Sequence, residues 1–347
     1  MRNQKVALEY APMTPNLLVL GGSGFVGRTL VEAGLDRQWS VATYNRGHRP
    51  LTDSRIEQLI GDRADAGALR LLGRRDWDLV VDTWSGAPCA ARTGAAILSE
   101  RTARYVYISS GSVYAPPPPL GADENTPTVD ASAAATSGGY AELKRGSELA
   151  IVEAFGDRAL LARAGLILGP YENVGRLPWW CHRIAAGGDV LAPGPPELAL
   201  QYVDARDLAR FVLDAAPAGH GGPFNVVSRS GHATMATLLE ACVAATGSDA
   251  RLRWVAPEVI LDAGIEPWSE LPIWIPPDHE YAGMHGVDVE RAHAAGLLCR
   301  PVRETVTDTW AWLSTLAGPA PLRGELDPPG LDRERERTLL ARLTAAG

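Results

Sequence analysis

Cysteine is scarce: Cys89, Cys181, Cys242 and Cys299 are all that 347 residues contain, and no two stand at Cys-x-x-Cys spacing. That excludes a disulfide-stapled scaffold and a zinc or redox motif, and it suits a reducing compartment. No window stays apolar for the width of a bilayer, and the stretch before Pro15 has no signal-like apolar core. The expectation is a cytoplasmic protein with no membrane partner. Positive charge is also short, with 33 Lys and Arg against 41 Asp and Glu for a net −8, so no global field exists to hold nucleic acid. Missing too are a zincin histidine pair, a Gly-x-Ser-x-Gly elbow and a lysine after a Walker glycine loop. Metalloprotease, serine hydrolase and P-loop kinase readings therefore fail, and no metal is expected.

What remains is a globular composition, 46% hydrophobic and 21% charged. Its first half alternates short β-branched runs with helical patterns, the signature of βαβ units and a parallel sheet. Strands are expected at Asn16–Leu20, Ser40–Tyr44, Ile56–Ile60, Trp77–Thr83, Arg104–Ser109 and Arg158–Leu168, with helices at Arg28–Gly34, Pro88–Glu100 and Tyr140–Phe155. Between Ala115 and Gly139 a proline run and small polar residues predict a long loop. The fold class is α/β, a Rossmann-type doubly wound parallel sheet with a smaller C-terminal substrate-binding lobe. The expected division is a dinucleotide-binding domain over 1–170, to which parts of 200–230 return, a substrate lobe over 171–317, and a tail over 318–347 carrying a helix at Leu331–Leu343.

The strand Asn16–Leu20 runs straight into Gly21-Gly22-Ser23-Gly24-Phe25-Val26-Gly27, and a helical segment follows. Glycines in that order let the backbone turn tightly and approach a pyrophosphate, which then meets the free N–H groups of the helix. NAD-binding versions carry an acid about 20 residues further on for the ribose hydroxyls. Here the second strand ends Tyr44-Asn45-Arg46-Gly47, without a carboxylate. Arg46 can pair with a 2′-phosphate, which favours NADP(H) over NAD(H), or it can be a solvated turn. Asp62, before Arg63, can reach an adenine edge or cap a helix. Thr83 ends the fourth strand on the same side.

Tyr140 and Lys144 stand four apart at the start of a helix, on one face. With Lys5 and Lys144 the only lysines among 347 residues, chance is a poor explanation for the pair. An ammonium near a phenol favours phenolate and suits tyrosine to proton transfer near neutral pH. The bland alternative is a buried tyrosine meeting a surface lysine. Upstream, Tyr105–Ser110 delivers hydroxyls to the C-terminal edge of a strand, where open α/β sheets place ligands.

Together these residues resemble the extended short-chain dehydrogenases/reductases, also called the NAD-dependent epimerase/dehydratase family, over nearly the whole chain. The resemblance rests on Gly21/Gly24/Gly27, Ser109-Ser110-Gly111-Ser112-Val113-Tyr114, Tyr140/Lys144, Arg163 to Gly169-Pro170, and Gln201 to Ala209. It implies that Tyr140 is the general acid/base, that Lys144 holds the nicotinamide ribose, and that Ser110 bonds the substrate oxygen, with Ser112 the weaker candidate. Relatives are often dimers, so a homodimer is expected. Some plastid proteins resembling the family bind RNA, which the net charge opposes.

Departures narrow the expected chemistry. Dehydratases of the family are similar in carrying an acidic pair where this chain has Gly111 and Ser112. Leu166 and Leu200 stand where nucleotide-sugar enzymes tend to place diphosphate anchors. A small-molecule substrate interconverted between ketone and secondary alcohol is therefore preferred, with an epimerase as the rival. For the pocket wall the candidates are Trp179, Trp180, Arg183, Trp268 and Trp274, although core packing is the commoner fate of a tryptophan.

Overall fold

The chain starts its sheet with two runs that are apolar without interruption, Leu17–Leu20 and Leu79–Val81, and both are buried on both faces. In the computed structural model, which describes residues 14–324 and 327–346, they form β1 (Asn16–Leu20) and β4 (Trp77–Asp82). With β2 (Ser40–Asn45), β3 (Ile56–Ile60), β5 (Thr102–Ser110), β6 (Ala159–Ala164) and β11 (Gly222–Val226) they make a seven-stranded sheet ordered β11-β6-β5-β4-β1-β2-β3. Every neighbouring pair is parallel. The order reverses between β1 and β4, which opens a crevice beyond their carboxyl ends.

Period-two alternation sends Leu17, Val19, Leu79 and Val81 to one face, under α1 (Phe25–Asp36) and α6 (Ala205–Ala215). Leu18, Leu20, Val80 and Tyr105 go to the other, under α2 (Ala66–Leu72), α3 (Pro88–Leu98) and α4 (Tyr140–Phe155). The strand expected over 158–168 is broken. Its first part pairs as far as Ala164, and β7 (Ile167–Leu168) leaves the sheet to pair with β10 (Val203–Asp204). Gly165 lies at the break, where a Cβ would stand 2.8 Å from Val227.

A further core lies among α5 (Arg176–Ala185), α7 (Met235–Thr246), α10 (Val302–Leu313) and α11 (Arg333–Ala346). Small strand pairs border it, β8 (Asp189–Pro193) with β13 (Arg251–Val255) and β9 (Ala199–Leu200) with β12 (Ala233–Thr234). Short helices α8 (Pro257–Asp262) and α9 (Glu290–Ala294) complete the set. This core takes three residues that the sequence suggested for the pocket wall. Trp180 and Trp274 are fully buried, and their indoles donate to the carbonyls of Pro272 and Gly194. Arg183 is also buried: its Nε meets Glu336 at 2.6 Å, and its other nitrogens donate to the carbonyls of Gly187 and Asp189. Trp179 packs edge-on against Trp180 and covers Gly330. The amphipathic pattern could not separate these roles, because a tryptophan filling a core and one lining a pocket read alike.

Glu336 pins the last helix, accepting from Arg183 and from the backbone N–H of Leu191. Removing one partner of a buried pair strands the other charge. Glu336→Ala should therefore cost about 3–5 kcal/mol in urea unfolding, with part recovered in Arg183→Leu/Glu336→Leu. A loss near zero would show that the helix is not held this way.

Candidate active site

The crevice begins where β1 gives way to the glycine turn. Gly21 has φ +122° and lies so close to Thr83 that no side chain fits, while Thr83 Oγ1 donates to the carbonyl of Leu20. Gly27, in the first turn of α1, needs its hydrogen for a different reason: a Cβ there would stand 2.8 Å from the backbone nitrogen of Gly22. Gly24 is the N-cap and faces open space. No side chain caps this helix, and no acid occupies its first turn. Free N–H groups and open space therefore coincide, as a pyrophosphate requires. At the end of β2, Asn45 Nδ2 is buried without a partner, and Arg46 is exposed on the cavity wall. These residues fit a dinucleotide.

The same cavity, about 870 Å³, continues from Gly24 to Ser110, Tyr140 and Lys144. Ser110 ends β5, where its Oγ accepts from the Ser112 N–H and donates to Ser112 Oγ, both at 3.1 Å. Tyr140 opens α4 and is 43% exposed, so its hydroxyl is accessible. One turn on, Lys144 is buried and its Nζ donates to the carbonyls of Trp84 and Ile108, each at 2.7 Å. An ammonium has three donors, so one remains for the cavity. Burial pushes the lysine down to about 7; Asp82 and Glu148 oppose the fall and Arg323 adds to it.

Another turn along α4, Glu148 fixes the register. It accepts from Ser109 Oγ at 2.7 Å and from both Nε and a terminal nitrogen of Arg163 at 3.0 Å. The helix is thus tied to β5 and β6 along the face that carries Tyr140 and Lys144.

The far wall is built by Asn173, Arg176, Trp268, Tyr281, His285 and Arg323. His285 is not an acid/base candidate. Its Nδ1 accepts from the Gln201 N–H and its Nε2 bonds the Ile273 carbonyl, which fixes the neutral tautomer, and burial lowers its pKa further. Glu172, just before the wall, is fully buried and accepts from the N–H groups of Arg176 and Leu177.

Comparison with known proteins agrees with this geometry. The model of the NAD dependent epimerase/dehydratase family matches residues 17–227. The chain belongs to that family. No curated protein matches it significantly. Among solved structures it is similar to the WbmH enzyme of Bordetella bronchiseptica bound to NAD+, at 18% identity and TM-score 0.66 over 88% of this chain and all of that one. It is also similar to a UDP-N-acetylglucosamine 4-epimerase of Methanobrevibacter ruminantium, at 18% and 0.65, covering 87% and 99%. A dTDP-glucose 4,6-dehydratase of Bacillus anthracis gives 14% and 0.61 over 94% and 100%. Likeness at this identity establishes a shared fold.

Within this family member, the cavity gathers Gly24, Phe25, Val26, Gly27, Arg46, Thr83, Ser110, Ser112, Tyr140, Lys144 and Trp268 from among the residues singled out in the sequence. Ser23 stays in the turn, where its N–H and Oγ both donate to the Gly21 carbonyl. Asn45 uses Oδ1 on the Gly47 N–H. One expectation fails. Arg63 is buried in a bidentate pair with Asp82, at 2.6 and 2.9 Å, so it serves the sheet and has no free face for a ligand. Asp62 is exposed and closes a local turn on the Ala64 N–H. The helix cap that the sequence allowed is instead Asp65, bonded to the N–H groups of Gly67 and Ala68.

Sequence reading missed Arg176, Glu172, Glu148 and Arg323. One signal was present: Arg176 is the first residue of α5, where a helix macrodipole disfavours a cation.

Burial raises the Glu172 carboxyl from its ordinary 4.5 to about 7, against the pull of the Arg176 and Leu177 N–H groups and the Arg176 charge. The folded protein then binds more protons than the unfolded chain between these values, so this contribution to stability is present below pH 4.5 and lost as pH rises through 7. In urea titrations, Glu172→Gln should gain on the parent protein as pH increases across that window. A constant difference would contradict the assignment.

Proposed function

We propose that this protein is an NADP(H)-dependent oxidoreductase that interconverts a ketone and a secondary alcohol on a small-molecule metabolite. The observation that carries this reading is the single cavity shared by the Gly24–Gly27 turn, Ser110, Tyr140 and Lys144. Gly24 and the first turn of α1 would hold the pyrophosphate, Lys144 the nicotinamide ribose, and Arg46 the 2′-phosphate. The bound nicotinamide supplies or accepts a hydride. This chain's part is to meet the charge that grows on the substrate oxygen: Ser110 donates a hydrogen bond, and Tyr140 donates a hydrogen bond and passes its proton in reduction. The charge of Lys144 supports the phenolate that remains, while its third donor, left over from Trp84 and Ile108, goes to the ribose.

The absence of an acid at the end of β2 supports NADP(H) over NAD(H). Gly111 and Ser112 leave no acidic pair for dehydration. Epimerisation is the second reading, favoured by the family to which the chain belongs, and cofactor turnover separates the two: a reductase consumes NADPH, whereas an epimerase retains its cofactor and shows no net consumption.

Tryptophan-fluorescence titration should give tighter binding of NADPH than of NADH, with the preference lost in Arg46→Ala. NADH binding much the tighter would overturn the role of Arg46. Tyr140→Phe should lower kcat by about 100-fold or more while leaving cofactor affinity intact. Lys144→Met should weaken both. Full activity in Tyr140→Phe would contradict the mechanism.

A further inference from the structure

The wall facing Tyr140 holds two cations with no hydrogen-bond or ion-pair partner among the described residues. Arg176 lies over the Trp268 ring, its guanidinium carbon 4.6 Å from the centroid, and Arg323 lies over the Tyr140 ring at 5.9 Å. Both line the cavity. We propose that Arg176 and Arg323 form an anion-receiving pair, so that the molecule on which Tyr140 acts carries a carboxylate or a phosphate. The inference rests on the preceding reading for which end of the cavity takes the substrate.

The other charges on the wall are already committed. Lys144 serves two carbonyls and, on the preceding reading, the ribose, Arg163 is held by Glu148, and His285 is neutral. Arg46 stands at the dinucleotide end. Among the described residues Glu142 is the one carboxylate lining the cavity, and it lies in the first turn of α4, folded back against Gly139. Glu172, nearest to Arg176 in sequence, directs both oxygens to backbone N–H groups. Burial and the neighbouring Arg323 both bear down on the charge of Arg176, and only Glu172 and Tyr140 oppose them. Two cations placed together at a helix N-terminus carry an electrostatic cost that an anion would remove.

The scaffold holds them there deliberately. Trp268, which backs Arg176, adopts φ +66°, a strained conformation for a bulky residue, and its N–H donates to the Trp274 carbonyl. Arg323 belongs to the segment between α10 and α11. Its own N–H donates to the Asn173 carbonyl, and Leu322 and Pro329 close on Gly175, directly before Arg176. The C-terminal segment thus acts as a strap that carries one guanidinium to the other. Leu166, on the cavity wall, and Leu200, buried in the core, contribute no polar anchor. The pair therefore sits elsewhere than the positions those leucines occupy.

The test is fluorescence titration of the NADP+-saturated protein with inorganic pyrophosphate and, separately, with succinate, at constant ionic strength. The first reports a phosphate and the second a carboxylate. At least one should bind saturably, and Arg176→Gln and Arg323→Gln should each weaken it by about tenfold or more, with NADP+ affinity unchanged and with Arg176→Lys restoring part of the loss. Three results would overturn the proposal: neither anion saturates, the variants bind as the parent does, or NADP+ affinity falls in parallel, which would place the guanidiniums on the cofactor. A protein that binds neither NADP+ nor NAD+ contradicts the oxidoreductase reading instead. The same anion titration without dinucleotide then judges the arginine pair by itself.

Discussion

Everything at the site depends on how α4 is pinned to the sheet. Tyr140, Lys144 and Glu148 recur at four-residue spacing, so they share one face of the helix. Glu148 is clamped by Ser109 and Arg163, and Lys144 by the carbonyls beyond β4 and within β5. With two turns fixed so firmly, the tyrosine one turn earlier has little freedom to leave the edge of β5 where Ser110 waits. Buried charges of this kind are costly unless every donor and acceptor is matched.

The topology supplies the rest. The reversal of strand order between β1 and β4 opens the crevice, Gly21 keeps it tight against Thr83, and Gly27 lets α1 approach the turn. Both ends of the resulting cavity present arginine without an ion-pair partner among the described residues. Arg46 lines the end that holds the Gly24–Gly27 turn, and Arg176 with Arg323 lines the part beyond Tyr140. On the proposed reading, a few local cations would draw anionic ligands to a chain of net charge −8, with no global field required.

The sheet was largely legible in the sequence because β1 and β4 hold short apolar runs bounded by turn residues, and because the glycine turn and the Tyr140–Lys144 spacing are local patterns. Positions fixed by tertiary contact were not. Arg63 and Arg183 look in sequence like any ligand-binding arginine. Only the fold shows that Asp82 and Glu336 consume them. Trp180 and Trp274 were indistinguishable from Trp268 for the same reason. Arg323 could not have been placed at all, since it comes to Tyr140 from about half the chain away, along a segment without periodic pattern.

The central claim is that the nicotinamide end of a dinucleotide lies beside Ser110, Tyr140 and Lys144. A crystal structure of the protein with NADP+ tests it most directly. The account predicts the pyrophosphate over Gly24 and the start of α1, and the nicotinamide ring against Tyr140 with its ribose on Lys144. A dinucleotide bound in reverse, or with its ring outside this cavity, would contradict it.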